Sequence, residues 1–100
     1  MRFEFHPDAL AEYLQAAQHY ADRQPGLERR FIEAVEQTIG LITGSPLSWR
    51  VFEDDIRRCL TRVFPFAVLY TIETDHILIV GVMHNHREPG NWRGRVARGR

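Results

Sequence analysis

IRRCLTRVFPFAVLYTIETDHILIVGVMHNHREPGNWR, residues 56–93, decides the fold. Apolar runs at residues 56–63, 66–72 and 77–86 are separated by a bend at Phe64-Pro65 and a polar turn at residues 73–76. Short runs rich in Val, Ile, Phe and Tyr, bounded by turn residues, are read as strands. The third run is almost wholly apolar, as in a buried strand, and leads straight into His84, His86, Arg87 and Trp92. Groups at the end of a buried strand are held rigidly. Two imidazoles, a guanidinium and an indole there point to a contact surface.

Upstream, Arg2–His6 alternates Phe3 and Phe5 with polar residues, a short strand with one buried face. Pro7 stops it and suits the first turn of a helix. Over residues 8–23, Leu10, Tyr13, Ala17 and Tyr20 form one stripe of an amphipathic helix, with Glu12, Gln15 and Gln18 outside it. Asp8 in the first turn favours the helix dipole. Gln24-Pro25-Gly26 breaks this helix, and a second follows with Phe31, Val35, Ile39 and Ile42 on its apolar face, flanked by Ile32 and Ala34. It ends near Gly44. So short a connection predicts an antiparallel helical hairpin. Residues 45–55 read as a loop or single turn anchored by Trp49 and Phe52, with Glu53, Asp54 and Asp55 solvated.

The order β-α-α-β-β-β predicts an α+β, two-layer domain. Its antiparallel sheet carries the helical hairpin on one face and leaves the other partly open. Residues 1–93 form this domain, and residues 94–100 a basic C-terminal tail.

One hundred residues suffice for one modest core. The apolar fraction of 44% and charged fraction of 26% argue against global disorder. The single cysteine, Cys59, lies within a strand and is read as a small core residue rather than a reactive thiol. Neither a signal-like N-terminus nor a membrane-length apolar run is present in the sequence, so a cytoplasmic location is expected. The zero net charge conceals a split. Residues 1–55 hold five Arg against ten Asp/Glu, a balance of −5, and residues 56–100 hold eight Arg against three, a balance of +5. All cations are arginine, which forms flat bidentate contacts with phosphate and carboxylate. Basic charge gathered in the sheet half implies an anionic partner for that half.

Taken in order, F-H-P-x-A near the start, P-G-L-x-x-x-F at Pro25–Phe31 and V-E-x-x-I at Val35–Ile39 resemble the RelE/ParE superfamily of bacterial type II toxins. The likeness continues through a break at Pro46–Trp49, I-R-R-x-L at Ile56–Leu60 and F-P-F-x-V-x-Y at Phe64–Tyr70. It closes with H-x-H-R-x-P-x-x-W-x-x-R at His84–Arg95. The resemblance implies a sheet order of 1-4-3-2 and a toxin, also labelled a plasmid-stabilisation protein, wrapped by a cognate antitoxin in a hetero-oligomer. Relatives of the ParE kind are thought to poison DNA gyrase, and those of the RelE kind cut mRNA on the ribosome.

Attack by a 2′-hydroxyl needs a base, a donor for the leaving oxygen and cations for the phosphorane charge. Candidate catalytic residues are His84, His86, Arg57, Arg58 and Arg87. His84 and His86 share the strand parity of Leu78, Val80 and Val82 and so project to one face. Three features weigh against a nuclease. Lysine-based chemistry is excluded, Trp92 replaces the aromatic hydroxyl some relatives carry near this end, and the balanced charge fits a protein target better than ribosomal RNA. The target- or antitoxin-binding set is Arg57, Arg58, Arg62, His84, His86, Arg87, Trp92 and Arg93. Arg57 and Arg58 face opposite sides of their strand, and parity with Leu60 and Phe64 favours Arg58 on the helix side. No metal or cofactor is expected, since the His84-x-His86 pair lacks a third ligand. If the chain is an enzyme, it is an endoribonuclease. The expected readings are therefore a gyrase-directed toxin, an mRNA endonuclease or a non-toxic antitoxin-binding module.

Overall fold

The computed structural model describes residues 1–85 and Arg95. Strand β1 (Phe3–Phe5) leads into helices α1 (Pro7–Arg23) and α2 (Leu27–Gly44). A single 3₁₀ turn (Pro46–Ser48) then precedes β2 (Arg50–Glu53), β3 (Ile56–Leu60), β4 (Phe66–Ile72) and β5 (Ile77–His84). Among the described residues, no helix is long and apolar enough to cross a membrane.

Each helix begins where local chemistry permits. His6 stays extended while its Nδ1 accepts the Asp8 N–H at 3.1 Å, and Pro7 opens α1. Gly26, at φ 95°, reverses the chain into α2, and the Glu28 carboxylate accepts its N–H at 2.8 Å. α1 buries Ala9, Tyr13 and Ala17, so its contact stripe runs through Ala9 rather than Leu10, which is 40% exposed. α2 buries Phe31, Val35, Ile39 and Ile42, as the periodicity predicts. It also buries Thr38, whose hydroxyl donates to the Ala34 carbonyl at 2.8 Å.

The sheet runs β1-β5-β4-β3-β2. Its first four neighbours follow the implied order, with two additions. β1 pairs parallel to β5, making the sheet mixed, and β2 adds an antiparallel edge strand to β3. β2 falls in the segment read as loop. It is four residues long with a register shift between Val51 and Glu53, so no alternating pattern marks it.

The helix-facing side of the sheet holds the main core. Phe66, Val68 and Tyr70 of β4, and Ile77, Ile79 and Val82 of β5, pack with Phe31, Val35 and Ile42. Full burial of each large side chain contributes about 1.5–3 kcal/mol. Tyr70 has no exposed surface, and its hydroxyl donates to the Pro46 carbonyl at 2.6 Å. Burial pushes its pKa up to about 12, with the Arg57 charge opposing.

The opposite face, expected to be partly open, holds a second, smaller cluster. Ile56, Leu69, Val80 and Met83 are buried there, with Phe52 and Leu78 packed at the margin. Leu69 lies over Gly81, where an added Cβ would meet its Cδ1 at 3.2 Å. At this point the ladder slips, with Leu69 opposite Gly81 but Tyr70 opposite Ile79, and Val80 becomes the extra residue of a bulge. The bulge changes strand parity. Val82 and His84 face the helices, while Leu78 and Val80 face away. The uniform parity predicted for Leu78, Val80, Val82 and His84 therefore breaks after Val80.

Candidate functional site

β3 separates its paired arginines. Arg57 lies on the helix side, opposite Tyr70, and its guanidinium donates to the Trp49 carbonyl at 2.6 Å and the Leu47 carbonyl at 3.4 Å. It thus closes the 3₁₀ turn onto the sheet with backbone carbonyls, not with a carboxylate. Arg58 lies on the other face, its Cζ 5.0 Å from the centroid of the Phe52 ring. The expected assignment is reversed. The apolar residues of β3 do not alternate, since Ile56 and Cys59 are buried on opposite faces, and parity with Leu60 misleads. Burial also raises the Cys59 thiol pKa, in keeping with a core residue rather than a nucleophile.

His84 ends β5 on the helix side, its ring 5.2 Å from Phe66 and nearly perpendicular to it. It borders a cleft of about 450 Å³ with Glu12, Gln15, Ala16, His19, Phe66 and Val82. The cleft has an apolar floor, with carboxylate, amide and two imidazoles on its walls. Among the described residues, no group of three or more His, Cys, Asp or Glu side chains is placed to hold a metal ion.

The cleft lies where β1 has ended. Among the described residues, the last backbone bond to β5 on that side runs from the His6 N–H to the Ile79 carbonyl at 2.9 Å. Beyond it two side chains bond the β5 edge. Arg95 donates to the Val80 carbonyl at 3.0 Å, and Glu12 accepts the Val82 N–H at 3.2 Å. The two also pair with each other at 2.9 Å, with side chains only 10% and 16% exposed. Each charge is thus matched both by its partner and by a backbone group. Sequence reasoning placed Glu12 among solvent-facing residues and Arg95 in a basic tail. Nothing local connects positions 83 residues apart, and only the fold brings them together.

Arg62 is exposed on the turn after β3, beside a shallow notch lined by Arg30, Glu33, Ala34, Gln37 and Val63. His86, Arg87, Trp92 and Arg93 lie outside the described residues. Of the predicted site residues, then, Arg57, Arg58, Arg62 and His84 fall in four separate settings. From Arg57, opposite Tyr70, to His84, opposite Phe66, the sheet spans roughly 13 Å along the strands.

Comparison with known proteins agrees with this architecture. The family described as the ParE toxin of type II toxin-antitoxin system, parDE, matches residues 3–89. Among solved structures, one from the chromosomal ParDE TA system of P. aeruginosa superposes with a TM-score of 0.76 at 15% identity. It covers 84% of this chain and 95% of that one. No curated protein matches in sequence.

Proposed function

The chain belongs to the ParE toxin family of type II toxin–antitoxin systems, and from that premise we propose that it arrests growth by acting on DNA gyrase in the cytoplasm. A cognate antitoxin holds it inactive in a hetero-oligomer. An acidic or amphipathic antitoxin segment competes with the target for Arg62 and His84, and His86, Arg87, Trp92 and Arg93, which lie outside the described residues, are proposed as further contacts.

One observation carries the choice of target. The described groups that a ribonuclease would use do not converge. Arg57 closes an internal corner, Arg58 lies across the sheet, and His84 stands in the cleft on the helix side. Cleavage through a 2′-hydroxyl requires base, acid and cation within hydrogen-bond reach of one phosphate. Engaging a protein requires only complementary surface, which dispersed groups can supply.

The endonuclease reading draws support from His19 and His84 bordering one cleft. Induction without antitoxin separates the readings. A gyrase poison halts DNA synthesis first, induces the SOS response and leaves mRNA intact. An endonuclease gives mapped mRNA cuts within minutes, and His84→Ala or His86→Ala abolishes them. Normal growth would identify a non-toxic antitoxin-binding module.

A further inference from the structure

The turn between β3 and β4 places a β-branched residue where glycine would be relaxed. Val63 has φ 74°, and the Phe64 N–H donates to the Arg62 carbonyl at 2.8 Å. This is the strained form of the three-residue γ-turn, with Val63 at its centre. A second tight bond follows, from the Phe66 N–H to the Phe64 carbonyl at 2.8 Å. The Thr61 hydroxyl is shared between the Phe64 and Phe66 carbonyls at 2.8 and 3.1 Å. The Phe64 ring is held by Tyr20 and Phe31, with centroids at 5.0 and 5.5 Å.

The surroundings thus fix the turn rigidly, but the Val63 side chain takes no part in fixing it. It is 95% exposed. A side chain that strains the backbone and buries almost nothing works against the stability of the fold, and such outliers gather at contact sites. Around it lie the exposed Arg62 and Arg30 with Glu33 and Gln37, bordering a notch of about 390 Å³. Neither arginine has an ion-pair partner among the described residues.

We propose that Val63 is an anchor that inserts into an apolar, acid-rimmed socket on the folded target protein, with Arg62 and Arg30 meeting the rim. The inference rests on the toxin reading above and adds the surface by which the target is gripped. Shape favours a folded partner. A rigid projecting tip needs a preformed concavity, whereas an extended or helical antitoxin segment is itself a ridge in search of a groove. A nucleic acid would gain nothing from the isopropyl group and would meet Glu33.

The test compares the full-length wild type with Val63→Gly and Val63→Asn, both residues tolerating positive φ. Growth inhibition is read at matched expression, with copurification of the antitoxin encoded beside it and thermal melting read in parallel. The expected result for Val63→Gly is a melting point higher by roughly 4 °C or more. Toxic potency falls at least about tenfold, antitoxin copurification is unchanged, and Val63→Asn loses potency likewise. Undiminished potency in both variants overturns the inference alone. So does a lowered melting point in Val63→Gly, or loss of antitoxin with potency retained. A wild type that leaves growth unaffected overturns the toxin reading and this inference with it.

Discussion

Arg57 and Arg58 are neighbours in sequence, yet the two faces of the sheet give them different work. On the helix side, Arg57 is built into the frame, holding the carbonyls of the turn before β2 beside the buried Tyr70 hydroxyl. On the other side, Arg58 rests on the Phe52 ring, half-buried and with no ion-pair partner among the described residues. Both are half-buried, so the contrast shows how far the groups a cation meets decide what it can do. A guanidinium that already holds two backbone carbonyls cannot also meet a partner, whereas one lying on an aromatic face can turn outward at small cost.

Substitutions can break or sharpen this contrast. The largest effect is expected at another helix-side cation. Glu12→Gln takes away the nearer counter-charge of the buried Arg95, leaving only Asp8 at 3.9 Å, and should cost about 3 kcal/mol in urea unfolding. In Glu12→Ala, which removes the acceptor of the Val82 N–H as well, hydrogen exchange at that amide should accelerate, and unchanged protection there would refute the view that this pair holds the β5 edge.

Arg57→Ala comes next, at about 2 kcal/mol, because the Trp49 carbonyl loses a charged donor. Equal losses for Arg57→Ala and Arg58→Ala would erase the distinction between the faces.

Tyr70→Phe should cost about 1 kcal/mol for its lost bond to Pro46. It also carries a pH signature. The phenol titrates near 10 when unfolded and about 12 when folded. Its added stability is therefore complete below about pH 10 and is lost as pH rises through about 12. The alkaline fall in stability should shrink in Tyr70→Phe without vanishing, since burial also raises Tyr13 and Tyr20. Melting curves between pH 9 and 12 would show this, and identical falls in both proteins would contradict it.

The smallest change is Arg58→Ala, at about 0.5–1 kcal/mol for the contact with Phe52. A loss above about 2 kcal/mol would mean that Arg58 is as much a part of the frame as Arg57.

Much of this architecture could be read from residue patterns. The Phe31, Val35, Ile39 and Ile42 stripe located α2 because a buried helix face needs one apolar residue per turn. The strands at β4 and β5 showed as apolar runs between turn signals. β2 escaped notice because a short edge strand with a slipped register carries no alternation. The end of β3 was overrun by three residues, because Thr61–Val63 looks like strand until the positive φ of Val63 is known.

The candidate site was less legible. His84 was found from its place at the end of β5, but its face depended on a bulge at Val80 that no local pattern announces. The sequence by itself determined the elements other than β2, their order and the asymmetry of charge, because periodicity and turn chemistry act over a few residues. Only the tertiary structure decided which arginine turns inward, that Glu12 and Arg95 complete the β5 edge, and that Val63 stands out in solvent. Those outcomes depend on register, on a one-residue slip and on contacts between distant parts of the chain, and neighbouring residues carry no record of them.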